Sequence, residues 1–188
     1  MKRTIMFLSL ILLVAMIGCG NQNESSDVAN EQNRDVIKPT MDLFAAAATG
    51  NVDEINLHIN AGSDLNVKEP GRGSSPLLTA IVFDKYNAVE ALIKGGANIN
   101  QQNNEGSTPL LTAAVFCRFE AVKLLLDNGA DKTIKNAAGK TALDAVSAPF
   151  DKVKPVYDNL AKGMAPMGVR FDYKYLEETR PKIAELLK

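Results

Sequence analysis

The sequence predicts an all-α solenoid of about four stacked helix pairs, and three observations carry that expectation. Short motifs recur 33 residues apart, prolines preceded by hydroxyl residues mark the same point in successive units, and apolar residues fall at i, i+3 and i+4 in each unit's second half. A helix pair of this size cannot bury its own apolar faces, so neighbouring units must supply one another's core.

Composition narrows the function classes. With 188 residues, 46% hydrophobic and 23% charged, the chain holds enough apolar material for one domain. The formal net charge of -1 lacks the basic excess that a nucleic-acid binder uses to displace counterions from phosphates. A single histidine, His58, and two cysteines, Cys19 and Cys117, exclude most metal and triad chemistry.

Residues 1–18 read as a signal peptide. Lys2 and Arg3 form a positive start, and Ile5–Ile17 is apolar apart from Ser9. As a helix that run reaches roughly 20 Å, short of the ~30 Å hydrocarbon core, so a cleaved export signal is favoured over a permanent span. Its end, Met16-Ile17-Gly18-Cys19, resembles the lipobox of bacterial lipoproteins, except that Met16 stands where that family usually has Leu. The resemblance implies lipidation of Cys19 after cleavage, and Gly20 in the next position implies outer-membrane sorting in a Gram-negative cell. The alternative is an ordinary secretory signal followed by an incidental cysteine. Residues 19–39, rich in Asn, Gln, Ser, Asp and Glu, cannot bury enough surface to order themselves. They would form a tether reaching about 25 Å.

The repeat domain is expected over residues 40–188. Its first motif recurs as Gly73-Ser74-Ser75-Pro76-Leu77-Leu78-Thr79-Ala80, Gly106-Ser107-Thr108-Pro109-Leu110-Leu111-Thr112-Ala113 and Gly139-Lys140-Thr141-Ala142-Leu143-Asp144-Ala145. Ser75 and Thr108 suit N-caps, and Pro76 and Pro109 suit a first helical position, where the missing N–H costs nothing. Second helices follow with stripes Val89, Leu92, Ile93 and Val122, Leu125, Leu126, ended by Gly96 and Gly129, as Gly62 ends the first unit. The first unit begins near Thr40 and lies 34 residues from the second, which places one extra residue in the loop 67–74. These motifs resemble the ankyrin repeat family over about 120 residues, whose signature is a 33-residue unit with Thr-Pro-Leu-His-x-Ala.

The fourth unit departs from the pattern. Its second helix is due near residue 154, yet Ile183-Ala184-Glu185-Leu186-Leu187 fits it, with Pro181 opening that helix. An insertion is therefore expected at about 148–180. Val153, Val156, Tyr157 and Leu160 suggest a short amphipathic helix ended by Gly163, and the alternation of Val169, Phe171, Tyr173 and Tyr175 with charged residues suggests an extended arm. Five of the eleven aromatic residues fall in this insertion. Either they cover the stack privately, or the arm completes a binding surface.

The resemblance implies protein binding through a concave face made by the first helices and the hairpin tips. Carried onto this chain, that face includes Thr49, Asn51, Phe83, Lys85, Phe116 and Arg118, with tips near Lys68, Arg72, Asn103 and Glu105, and the arm adds Phe171, Tyr173 and Tyr175. Phe83 and Phe116 lie one unit apart, which permits either a stacked aromatic ridge or packing against neighbouring elements. His58 occupies the slot of Leu92 and Leu125 and reads as a packed residue, while Cys117 reads as a small buried thiol aligned with Gly50 and Asp84.

The expected protein is a lipid-anchored cell-envelope adaptor or inhibitor with a protein partner, a monomeric domain, and neither cofactor nor metal. Known bacterial contexts of this kind are exported ankyrin proteins in oxidative-stress defence and small lipoproteins that neutralise toxins. Two alternatives stand beside it. One is an enzyme using Tyr157, Tyr173 or Asp172 of the insertion as acid and base, and the other is self-association through Ile183, Leu186 and Leu187 of the last helix.

Overall fold

The computed structural model describes residues 37–188. The signal peptide, Cys19 and nearly all of the tether lie outside the described residues. Nine α-helices follow among those described: α1 (Leu43–Thr49), α2 (Val52–Asn60), α3 (Pro76–Val82), α4 (Tyr86–Lys94), α5 (Pro109–Val115), α6 (Phe119–Asp127), α7 (Ala142–Ser147), α8 (Phe150–Met164) and α9 (Tyr173–Leu187). No strand occurs among the described residues.

Helices α1, α3, α5 and α7 pack side by side in one layer, and α2, α4, α6 and α9 in a second. The sequence explains both rows. Ser75 and Thr108 cap α3 and α5 by accepting the N–H of Leu78 and Leu111 at 3.3 and 3.2 Å, each with proline at the first helical position. Thr141 and Asp144 form a reciprocal capping box on α7. Ala46, Ala80 and Ala113, wholly buried in equivalent positions, let the first helices approach closely, while Ile55, Val89 and Val122 fill the seam with the second layer. Each of those larger side chains contributes about 1.5–3 kcal/mol by leaving water.

The turn between paired helices also repeats. Gly50, Asp84 and Cys117 adopt left-handed φ of 80°, 58° and 53°. The next N–H, of Asn51, Lys85 and Arg118, returns to the carbonyls of Ala46, Ala80 and Ala113 at 2.9 Å and satisfies the end of the first helix.

Loops between repeats pair through their backbones. Asn104 N–H donates to the Arg72 carbonyl at 2.9 Å, and Ala137 N–H to that of Glu105 at 3.0 Å. The extra residue of the first loop lies between Glu69 and Ser74, which close a hairpin five residues apart, whereas Asn103–Ser107 and Asn136–Lys140 close theirs across four. Asn103 and Asn136 fold their loops by accepting backbone N–H groups on one side-chain oxygen. Glu69, one methylene longer, does the same over the wider loop through the N–H groups of Gly71, Arg72 and Ser74.

The fourth unit corrects three sequence expectations. Helix α8 runs through Gly163 to Met164 and a 3-10 turn, and Gly168 (φ 78°) makes the reversal instead. Residues 169–175 are not an extended arm, because Asp172 accepts the Tyr175 N–H at 3.1 Å and caps α9, which puts Tyr173 and Tyr175 in a first helical turn. Pro181 lies inside α9 rather than at its start. The self-association surface is corrected too: Ile183 and Leu187 are buried and Leu186 is half-buried, while Lys174, Glu178, Lys182 and Glu185 face solvent. A polar outer face of this kind closes a stack.

Candidate protein-binding surface

The inserted segment lies against the ends of α3 and α5. Met164 and Val169 pack with Phe116, and Val82, Phe83, Val115 and Phe171 surround them in a cluster separate from the main core. The ring centroids of Phe171 and Phe116 are 5.6 Å apart, and Tyr157 meets Phe171 edge-on at 5.9 Å. Phe116 is consequently buried under the insertion, and Phe83 is half-buried beside it. Of the two readings left open for this pair, contact with the insertion describes Phe116.

The other residues singled out from the sequence separate into groups. Thr49 donates its hydroxyl to the Ala45 carbonyl at 2.7 Å, and Asn51 caps α2 by accepting the Glu54 N–H at 3.2 Å. Neither belongs to the Phe116 cluster. Arg118 reaches back across a repeat boundary, donating to the carbonyls of Val82 at 3.1 Å and Ile81 at 3.4 Å and pairing with Asp84 at 3.1 Å. The stem of Lys85 lies against Gly50 in the equivalent position of the preceding boundary. Tyr173 turns toward α8 and donates to Asp158 at 2.8 Å, which holds that carboxyl below its usual range together with Lys154.

Phe116, Lys85, Arg118, Phe171 and Tyr175 do come together, around a groove of about 390 Å³ along the helix turns of the second and third units. Val89, Phe119 and Leu176 also line it, and Arg170 and Asp172 stand on the insertion's side. Tyr86 and Tyr175 line it too and remain 42% and 46% exposed, enough to meet a partner. Tyr86 was not singled out from the sequence, although it occupies the same place in its unit as Phe119 33 residues later, and that recurrence is the signal that would have found it.

Beneath the groove lies a polar knot. Tyr157 donates to the Val115 carbonyl at 2.8 Å and accepts from Arg180 at 2.8 Å, with the Cys117 sulfur 4.0 Å away. Burial pushes the Cys117 thiol up and the Tyr157 phenol up to about 12, the neighbouring thiol adding to the latter against the opposing pull of Arg180. A phenol so placed is a poor general base near neutrality. Asp172 is committed to the α9 cap and Tyr173 to Asp158. His58 bridges the Met41 carbonyl at 2.8 Å and Ser63 at 2.9 Å, a packed residue tying the first unit's ends together.

A family description of ankyrin repeats, in three copies, matches residues 43–136, half of the chain. The chain belongs to the ankyrin repeat family. No curated protein matches it. The matched residues hold α1 through α6, so the fourth unit and its insertion lie beyond the match. Ankyrin repeats suggest protein–protein interaction and are typically non-catalytic binding scaffolds. In this member one wall of the groove comes from the ankyrin units and the other from the inserted segment.

Proposed function

We propose that this ankyrin repeat protein is a lipid-anchored adaptor or inhibitor of the cell envelope that binds a protein partner as a monomer, without catalysing a reaction. The anchoring part rests on the sequence of residues 1–19, with Cys19 as the lipidated residue. The binding part rests on the groove along the helix turns, and the observation that carries it is the pair of half-exposed tyrosines at its edges. Tyrosines bring large contact area at low entropic cost and are enriched where binding energy concentrates. Lys85, Arg118 and Arg170 line the same groove together with Asp84, Glu120 and Asp172, which suits an apolar patch on a partner bordered by charges of both signs.

Pull-down from envelope extracts with the wild-type chain and a Tyr86→Ala/Tyr175→Ala variant tests the groove. A partner recovered by the first and lost with the second is expected, and equal recovery of every protein by both refutes it. Fractionation of cells expressing Cys19→Ser tests the anchor, the expected result being loss from the membrane fraction.

A further inference from the structure

Across the first-helix layer, one register alternates in character with what lies over it. In the second and third units it carries Val82, Phe83, Val115 and Phe116, all packed under the insertion, whereas in the first unit the same positions are Ala48 and Thr49, with Thr49 exposed. An apolar strip crossing two repeats therefore exists where α8 and the segment to Phe171 cover it. The cover is held at a few points: Tyr157 sits in the main core, Phe150, Val153, Leu160 and Phe171 pack half-buried against it, and Asp158 accepts the Tyr173 hydroxyl. Of the 15 residues of α8 only Tyr157 and Met164 are buried, Val156 is 56% exposed, and Pro155 removes one internal hydrogen bond.

Its polar attachment carries a penalty. Arg180, only 3% exposed, is held by the Tyr157 hydroxyl and the Ala148 carbonyl, its Nε has no partner, and among the described residues it pairs with no carboxylate. A guanidinium buried without a counter-ion weakens the closed arrangement, and lifting α8 would return water to it. Extended Ala148 and Pro149 at one end and left-handed Gly168 near the other bound the helix as a unit.

From this we infer that residues 149–171 are an intramolecular ligand that lifts off as one piece, uncovering the Val82–Phe83–Val115–Phe116 strip for a peptide segment of the same chemistry. The occupant's chemistry is read from what fills the strip now: Met164, Val169 and Phe171, a short apolar sequence interrupted by a turn. This goes beyond the groove reading, and its test needs no natural partner.

Hydrogen exchange on the full chain measures the opening. The amides of 153–164 are expected to exchange about 100-fold faster than those of α5 and without dependence on low urea, the mark of a sub-global event. Tyr157→Phe, which leaves the ring and removes both hydroxyl bonds, should speed that exchange about tenfold. A synthetic peptide of residues 149–171 should bind Tyr157→Phe, and more strongly Tyr157→Ala, at least about tenfold better than wild type, since a more open site loses less to competition. Protection of α8 equal to that of α5 overturns the inference, and so does equal or absent peptide binding across the three proteins. Exchange of α5 in Tyr157→Phe reports whether the stack itself stays folded.

Discussion

Replacing Arg118 by methionine should cost the fold about 2–2.5 kcal/mol. Its side chain is 16% exposed and reaches from the third unit to the end of α3 in the second. The donation to the Val82 carbonyl at 3.1 Å is charge-assisted and partly shielded, worth about 1.5 kcal/mol, and the longer one to Ile81 at 3.4 Å adds about 0.5 kcal/mol. Asp84 is 63% exposed, so its ion pair contributes no more than about 0.5 kcal/mol. Methionine keeps the apolar stem, which confines the loss to the polar contacts. Urea unfolding followed by helical circular dichroism, with Asp84→Ala and the double variant completing a cycle, measures each part. A loss below about 0.5 kcal/mol for Arg118→Met, or an equal loss for Asp84→Ala, would refute the account of Arg118 as a bridge between repeats.

Gly106→Ala should destabilise more than Gly62→Ala: both have left-handed φ (74° and 70°), but a Cβ at Gly106 would meet the Ala137 backbone nitrogen at 2.8 Å while Gly62 has open space, so thermal melts should show about 1 kcal/mol for Gly62 and at least twice that for Gly106. The Glu54 carboxyl is held below its ordinary value chiefly by the Thr40 hydroxyl and then by the Thr40 and Met41 amides, against the upward pull of burial. A depressed folded value means its stabilisation is present above about pH 4.5, the unfolded range, and is lost as pH falls through the folded value; Glu54→Gln should therefore flatten the fall in urea midpoint between pH 5 and pH 3. Cys117, wholly buried and with its thiol pushed up, should resist iodoacetamide at pH 8 in the native protein and react promptly in 6 M guanidinium.

Much of the stack was legible because its signals are local and recur. Ser75-Pro76 and Thr108-Pro109 specify helix starts by themselves, and Gly62, Gly96 and Gly129 take the left-handed conformation their positions suggested. The last unit was less legible because two periods coexist there. Val169 and Phe171 do alternate, but the alternation passes into a helix whose stripe is Leu176, Thr179, Arg180, Ile183 and Leu187. The capping capacity of Asp172 was the signal for that change, and Pro181 obscured it by resembling a helix start. Its missing N–H would have faced the Glu177 carbonyl on the exposed side, where water can substitute. At the candidate site, aromatic identity pointed to Phe116 and Phe171, but which rings would cover each other depends on how α8 crosses the stack. No single repeat encodes that crossing.

The carboxylate of Glu54 holds residues 40 and 41 by their amides and the Thr40 hydroxyl, and His58 grips the Met41 carbonyl one turn further along α2. Tension applied through the chain before residue 40 would therefore load α2 crosswise before it could peel α1 from the row. Acidification, by neutralising the Glu54 carboxylate, would slacken this mooring of the chain to α2.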